Sequence, residues 1–495
     1  MLFSSYDFIL LFLPLCLITF YLIRLFSLRL GSAGGRKLIK IFLILISIVF
    51  LSFSGLRNVI ILLISIALNA VFLSILGKKK IKPVFIAGIA ANILFLFLFK
   101  YGSAVTSFLY FPIAISFYTF EQIAFLTDYY KGDIPQENSG VLNYLLYILY
   151  FPKLIQGPIA DFSDISKQFD EVCEKRFDPE LFLRGCLLFS IGAAKKTLLA
   201  DVLGASVDAA FSSVDTLMTV DTVIIAFAYV FQLYFDFSGY CDMAEGVSLL
   251  FGIRLPENFN SPYKQTDFLS YWHNWHATLG RFFTRYVYIP LGGSKRRGLR
   301  LYLNIMIVFI LSGLWHGNSP TFLLWAVINT IIAVLTKLLN LNLRLSAVSE
   351  ESLTKKLFKK AISVIRTAFS FILWSVILVI FRADTIDTAF SFYKRFGLTP
   401  FRLSWLSLDV LNKMIPLELV TVLNKTPLWN TYKFTATGSL MMLGICAFIV
   451  FFCKNSHEIA LKGKLSVSKV VFCSFLLVWS ILSIGKVQTF LYINF

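Results

Sequence analysis

Charge is scarce in this chain. Only 15% of its 495 residues are Asp, Glu, Lys or Arg and 57% are hydrophobic, against about 25% and 45–50% in an ordinary soluble domain. A soluble fold could not cover that much apolar side chain. Acidic residues are the scarcer sign, 28 against 46 basic, which leaves a formal charge of +18. The basic residues fall in short clusters between apolar runs instead of covering one face, so a nucleic-acid partner is not expected and the clusters read as topology signals. The seven cysteines show no CxxC spacing, and Cys16, Cys186, Cys446 and Cys473 lie inside apolar segments as small hydrophobes; neither a disulfide framework nor a metal site is indicated. A basic leader and a small-residue cleavage site are also missing around Asp7, so the first apolar segment is expected to stay as a membrane anchor. There is no internal repeat or low-complexity tract.

What the chain has in quantity is long apolar runs. Segments such as 38–53, 59–76 and 84–99 are each about as long as a helix needs to be to cross roughly 30 Å of hydrocarbon. Candidate spans fall near 7–23, 38–54, 59–76, 83–99, 104–127, 141–157, 181–200, 220–235, 301–316, 319–339, 364–381, 435–453 and 467–485. With some merged or re-entrant, an all-α polytopic membrane protein of about 11 crossings is expected, as one integral domain over 1–495. Linkers rich in Lys and Arg, such as Lys78–Lys82 and Lys295–Arg300, alternate with poor ones. Retention of basic clusters on the cytoplasmic side then puts the N-terminus outside. The segment 382–433 falls outside or on the membrane surface.

Chemistry concentrates between 229 and 317. Asp236, Asp242, Glu245, Arg254 and Glu257 interrupt an aromatic, apolar run, so that stretch should line a cavity or re-enter the membrane; equally, Asp236 and Asp242 could hold a broken helix together through polar partners. In the following YWHNWH, His273 and His276 are three apart and would share a helix face. Without a third ligand nearby a zinc site is a weak reading, and interfacial amphipaths beside Trp272 and Trp275 are the plainer one. His316 ends an apolar run between Trp315 and Gly317, where an imidazole is rare and can exchange a proton near neutral pH; a hydrogen-bonded structural histidine is the other reading. His457 lies in a basic loop and is given no role.

At these residues the sequence resembles the membrane-bound O-acyltransferase family, in its bacterial alginate O-acetylation branch. The matching pieces are FPKLIQGPIADFSDISKQF at 151–169, QLYFDFSGYCDMAEGVSLLFGIRLPENFNSPY at 232–263, WHNWHATL at 272–279, YIPLGG at 288–293, SGLWHG at 312–317 and FRAD at 381–384. Their order and spacing agree with the branch over about 90–395. The chain departs from it at His273 and Asn274, where two arginines are usual, and at Thr284 and Arg285, where an Arg-Asp pair is usual. The resemblance implies a helical fold around a central funnel or tunnel, with His316 and His276 as the two catalytic histidines. It also implies an acyl thioester donor such as acetyl-CoA on the cytoplasmic side, an exported polysaccharide as final acceptor, and a separate extracytoplasmic esterase-like partner.

On that basis His316 is expected to act as base and His276 to orient the acceptor or assist proton transfer. Trp272, Trp275 and Trp315 would shape the apolar wall, with Asp236 and Asp242 along the substrate path. No metal is expected. Acylation of teichoic acid, peptidoglycan or a lipid-linked glycan is an alternative within the chemistry. A polymer transporter or flippase is the alternative of another class, against which the missing repeat counts.

Overall fold

A computed structural model describes the chain except residues 28–30, 107–109, 135–139, 297, 344–352, 399–413, 415–432, 486–490 and 492–495. Among the described residues the regular elements are all helical. Among the described residues, seven helices are long and apolar enough to cross a membrane: Asp7–Ser27, Leu56–Lys78, Lys82–Ser103, Thr219–Leu250, Leu299–His316, Pro320–Leu339 and Phe358–Arg382. Two shorter apolar helices, Ser439–Phe452 and Val467–Leu482, accompany them. The expected all-α membrane architecture is therefore the one observed. Of the segment 382–433, a helix at Ile386–Leu398 is described, and most of the remainder lies outside the described residues.

The chain divides into two compact units. The first comprises Met1–Ala193, Gly239–Glu257 and Ala460–Phe495; the second comprises Ala194–Ser238 and Asn258–Ile459.

In the first unit the helix boundaries follow local chemistry. Helix Leu56–Lys78 ends where Lys79 turns extended, and its successor starts with Pro83 in the first turn, where the missing N–H of proline leaves no bond unmade. Helix Ile115–Lys131 ends at Gly132 (φ 85°), with the N–H groups of Gly132 and Asp133 returning to the Asp128 carbonyl, a left-handed glycine stop. Lipid tails are as apolar as Leu, so polar contacts and close packing must hold such helices together. Asn69, Asn92 and Gln122 supply them: the two asparagine amides exchange hydrogen bonds at 3.0 and 2.7 Å, and Asn69 also donates to Gln122. Lys153 and Glu121 form an ion pair with side chains 0% and 3% exposed, and the same ammonium lies 4.4 Å over the Tyr147 ring. Small residues do the rest. A Cβ at Gly192 would stand 2.6 Å from the Gly239 carbonyl oxygen, and one at Gly246 would stand 2.7 Å from the Phe189 nitrogen.

Two expectations for spans are corrected. The run 141–157 is a nine-residue helix, Val141–Leu149, followed by the short turn Phe151–Leu154, because Pro152 cannot supply the N–H that would carry the helix through. Conversely, 220–235 does not end at Asp236. Helix Thr219–Leu250 runs unbroken for 32 residues and carries Asp236, Asp242 and Glu245 buried within it, so this part is not a broken helix.

In the second unit, Leu299–His316 and Pro320–Leu343 make a tight antiparallel pair. At 18 residues the first is about 27 Å long. A Cβ at Gly313 would lie 2.7 Å from both the Ala326 Cβ and the Phe322 carbonyl oxygen, so only glycine lets the helices approach this closely one turn before His316.

Candidate active site

His316 is the last residue of helix Leu299–His316 and is 5% exposed. Gly317 follows, and a Cβ there would collide with the Phe322 ring at 2.6 Å; glycine lets that ring close over the helix end. Aromatic faces surround the imidazole. Its centroid is 4.7 Å from Trp315, 4.9 Å from Phe381 and 5.3 Å from Trp325, each edge to face.

His276 reaches the same cluster from a different element. Helix Phe268–Asn274 starts at Asp267, whose carboxylate accepts from the Ser270 N–H at 2.9 Å and the Ser270 hydroxyl at 2.7 Å, a cap of about 1 kcal/mol. After Trp275 the chain takes a left-handed step at His276 (φ 45°, ψ 48°) and a second helix, Ala277–Phe283, begins. The expectation that His273 and His276 share a helix face is therefore wrong: the turn separates them, leaving His273 exposed and His276 buried.

The His276 ring is 4.7 Å from Phe237 at 89° and 6.0 Å from Trp315. Its Nδ1 lies 3.1 Å from the Asn258 Oδ1. Trp315 thus touches both imidazoles, and the structure brings His276, Trp315 and His316 into one cluster.

The other tryptophans extend this wall. Trp272 meets Trp325 at 5.7 Å, Trp374 at 5.4 Å and Phe309 at 5.6 Å. Trp275 packs on Phe259 at 5.0 Å and stacks on Tyr271 at 5.6 Å. Trp325 and Trp374 were not singled out from the sequence; both sit in long apolar helices, where a tryptophan reads as ordinary packing.

The two aspartates part company. Asp236 pairs with Lys196 at 2.7 Å, and the same ammonium holds Asp201 at 2.8 Å. This is the polar-partner role that allows a carboxylate at membrane depth. Asp242 belongs to the first unit, where its Cβ lies 2.9 Å from the place a Gly192 side chain would take. His457 is also corrected. It is buried at the start of a helical turn, next to Ser456, whose hydroxyl accepts from Lys195 at 3.1 Å.

What this arrangement offers is two buried imidazoles in an aromatic setting, suited to moving a proton. The family model for membrane-bound O-acyltransferases matches residues 133–381, which include both histidines. The chain is similar to a peptidoglycan O-acetyltransferase of Helicobacter pylori, with 30% identity over 539 aligned positions covering 100% of this chain and 98% of the relative. It is also similar to a probable alginate O-acetylase of Azotobacter vinelandii, 37% identical over 57% of this chain and 53% of that one. A teichoic acid D-alanyltransferase of Bacillus subtilis is 25% identical over 44% of this chain and 57% of its own length.

Proposed function

Because the chain belongs to the membrane-bound O-acyltransferase family, we propose that it moves an acetyl group from a cytoplasmic thioester, acetyl-CoA, to an exported cell-envelope or extracellular polysaccharide. It is an acyltransferase of a membrane; the donor, the acceptor and the cell membrane as its location, with the N-terminus outside, are the parts proposed.

The observation that carries the reading is the shared Trp315: one indole packs against both His276 and His316, which supports their acting on one acceptor. In the transfer, an acceptor oxygen forms a bond to the acetyl carbon while His316 takes its proton. The tetrahedral intermediate collapses, the C–S bond breaks, and the imidazolium returns the proton to the departing thiolate. His276 orients the acceptor or assists the proton's movement, so the histidines handle one proton as a pair. Trp272, Trp275 and Trp315 wall off water, which strengthens each polar contact inside. A secreted esterase-like protein completes delivery to the polymer.

Peptidoglycan is the second reading, supported by the relative that matches along the whole chain. Inverted vesicles containing the protein, supplied with acetyl-CoA labelled in the acetyl group, should pass label to a glycan or to the partner. Label that remains in acetyl-CoA with both present would reject the reading, and the identity of the labelled glycan separates peptidoglycan from an extracellular polysaccharide.

A further inference from the structure

We infer that Asn258 fixes the neutral imidazole of His276 with its proton on Nδ1, leaving the lone pair on Nε2 to share the proton that His316 takes from the acceptor. The inference rests on the proposed part of His276 in proton transfer and adds its polarity.

The backbone N–H of Thr278 can only donate, and it points at the Asn258 side chain over 3.2 Å. Were that amide turned over, its NH2 would face the N–H and two donors would oppose each other. The atom at this position is therefore the carbonyl oxygen, and the Thr278 hydroxyl donates to it as well at 2.8 Å. The same oxygen lies 3.1 Å from His276 Nδ1. An amide oxygen has no proton to give, so Nδ1 must donate, and in a neutral imidazole the other nitrogen is then bare.

The surroundings hold the ring in this setting. Ala277 N–H donates to the Asn258 carbonyl at 2.9 Å and Asn260 N–H to the Asn274 carbonyl at 3.0 Å, strapping the segment 258–260 to the turn that carries His276. Asn258 and His276 are 2% and 3% exposed, so water does not readily replace the bond. Turning the imidazole by half a turn would aim a C–H at the oxygen and forfeit the contact, while Phe237 and Trp315 border the ring.

The consequence for the reaction is directional. A bare Nε2 can share the proton that His316 takes from the attacking hydroxyl; it cannot, while neutral, donate to the carbonyl oxygen that becomes negative. His276 therefore serves the nucleophile's side, and the oxyanion must be met by other donors. The hydroxyl proton released as the C–O bond forms is held by the histidine pair and leaves on the thiolate when the C–S bond breaks. Asn258 touches no reacting atom in this scheme: it is a positioning residue.

The test uses the full-length protein in lipid with 15N-labelled histidine, whose nitrogen shifts distinguish a protonated from a bare ring nitrogen; the His276 signals are those lost in His276→Asn. Expected are a protonated Nδ1 and a bare Nε2 in the parent protein. Asn258→Leu should lose that preference and lower kcat about 10–10²-fold with KM for the thioester little changed, as when the partner of a catalytic imidazole is removed. Asn258→Asp keeps an acceptor and should keep both the tautomer and most of kcat, which guards against a variant that simply fails to fold. A proton on Nε2 in the parent protein, or an unchanged tautomer in Asn258→Leu, would overturn the inference. Full turnover in His276→Asn would instead remove the proposed part of His276, whichever nitrogen carries the proton.

Discussion

Replacing His316 separates chemistry from packing, provided two variants are compared. The imidazole makes three edge-to-face contacts, with Trp315, Phe381 and Trp325 at 4.7, 4.9 and 5.3 Å. Each such contact is worth about 0.5–1.5 kcal/mol beyond burial, so His316→Ala should cost roughly 2–4 kcal/mol of stability, enough to lower the amount of folded protein. His316→Gln fills more of the space and keeps a polar end, and it should fold better than the alanine variant. Glutamine, however, cannot take up a proton at working pH. If His316 is the base, His316→Gln should lower turnover by about 10²–10⁴-fold, the usual share of a positioned acid–base group, which raises the barrier by about 2.7–5.4 kcal/mol. Folded protein in the membrane and acetyl transfer are measured in the same preparation, and activity is expressed per folded molecule. His273→Ala is the proper control, since that side chain is exposed; buried His457 would confound the comparison. Activity per folded molecule in His316→Gln equal to that of the parent would refute base catalysis at this residue and leave a packing role.

Two further outcomes are expected. Lys153→Met alone leaves the Glu121 carboxylate buried and should destabilise by about 3–5 kcal/mol, whereas the double variant with Glu121→Leu should recover most of the folded yield; a thermal-stability assay in detergent checks this, and a double variant no better than the single would contradict the pairing. Lys80→Cys should react with a membrane-impermeant thiol reagent only after the cells are opened, as the cytoplasmic placement of Lys78–Lys82 requires; labelling in intact cells would reverse the proposed orientation.

Much of the fold was legible because hydrophobic length and bilayer thickness set the same scale. The runs at 59–76 and 301–316 correspond to Leu56–Lys78 and Leu299–His316 within a few residues. Hydropathy failed where polar residues are satisfied inside a helix. Asp236 looked like an interruption, yet Lys196, forty positions earlier, neutralises it and the helix continues. It failed again at 141–157, where one proline outweighs a row of apolar neighbours. In the site, His316 was recognisable from its place at the end of an apolar run. The different fates of His273 and His276 were not, because they depend on a left-handed turn that i,i+3 spacing cannot reveal. Asn258 was hidden for another reason: an asparagine in a loop acquires a role only when Thr278 and His276, distant in sequence, meet its side chain.

The left-handed backbone at His276 acts as a gate on amino-acid choice that operates before any chemistry. A residue with φ of 45° is tolerated as glycine, and among residues with side chains most readily as Asn, Asp or His, whereas β-branched and bulky residues are strained there. A library at this site therefore sorts into two populations for separate reasons. Glycine and asparagine leave the chain's path intact and report on the missing imidazole, while valine or isoleucine would pull the 258–260 strap away from the turn and report on geometry. Anyone wishing to redesign the proton chemistry here has a short alphabet to draw from, and asparagine is the letter in it that both fits the turn and keeps a neutral hydrogen-bonding side chain.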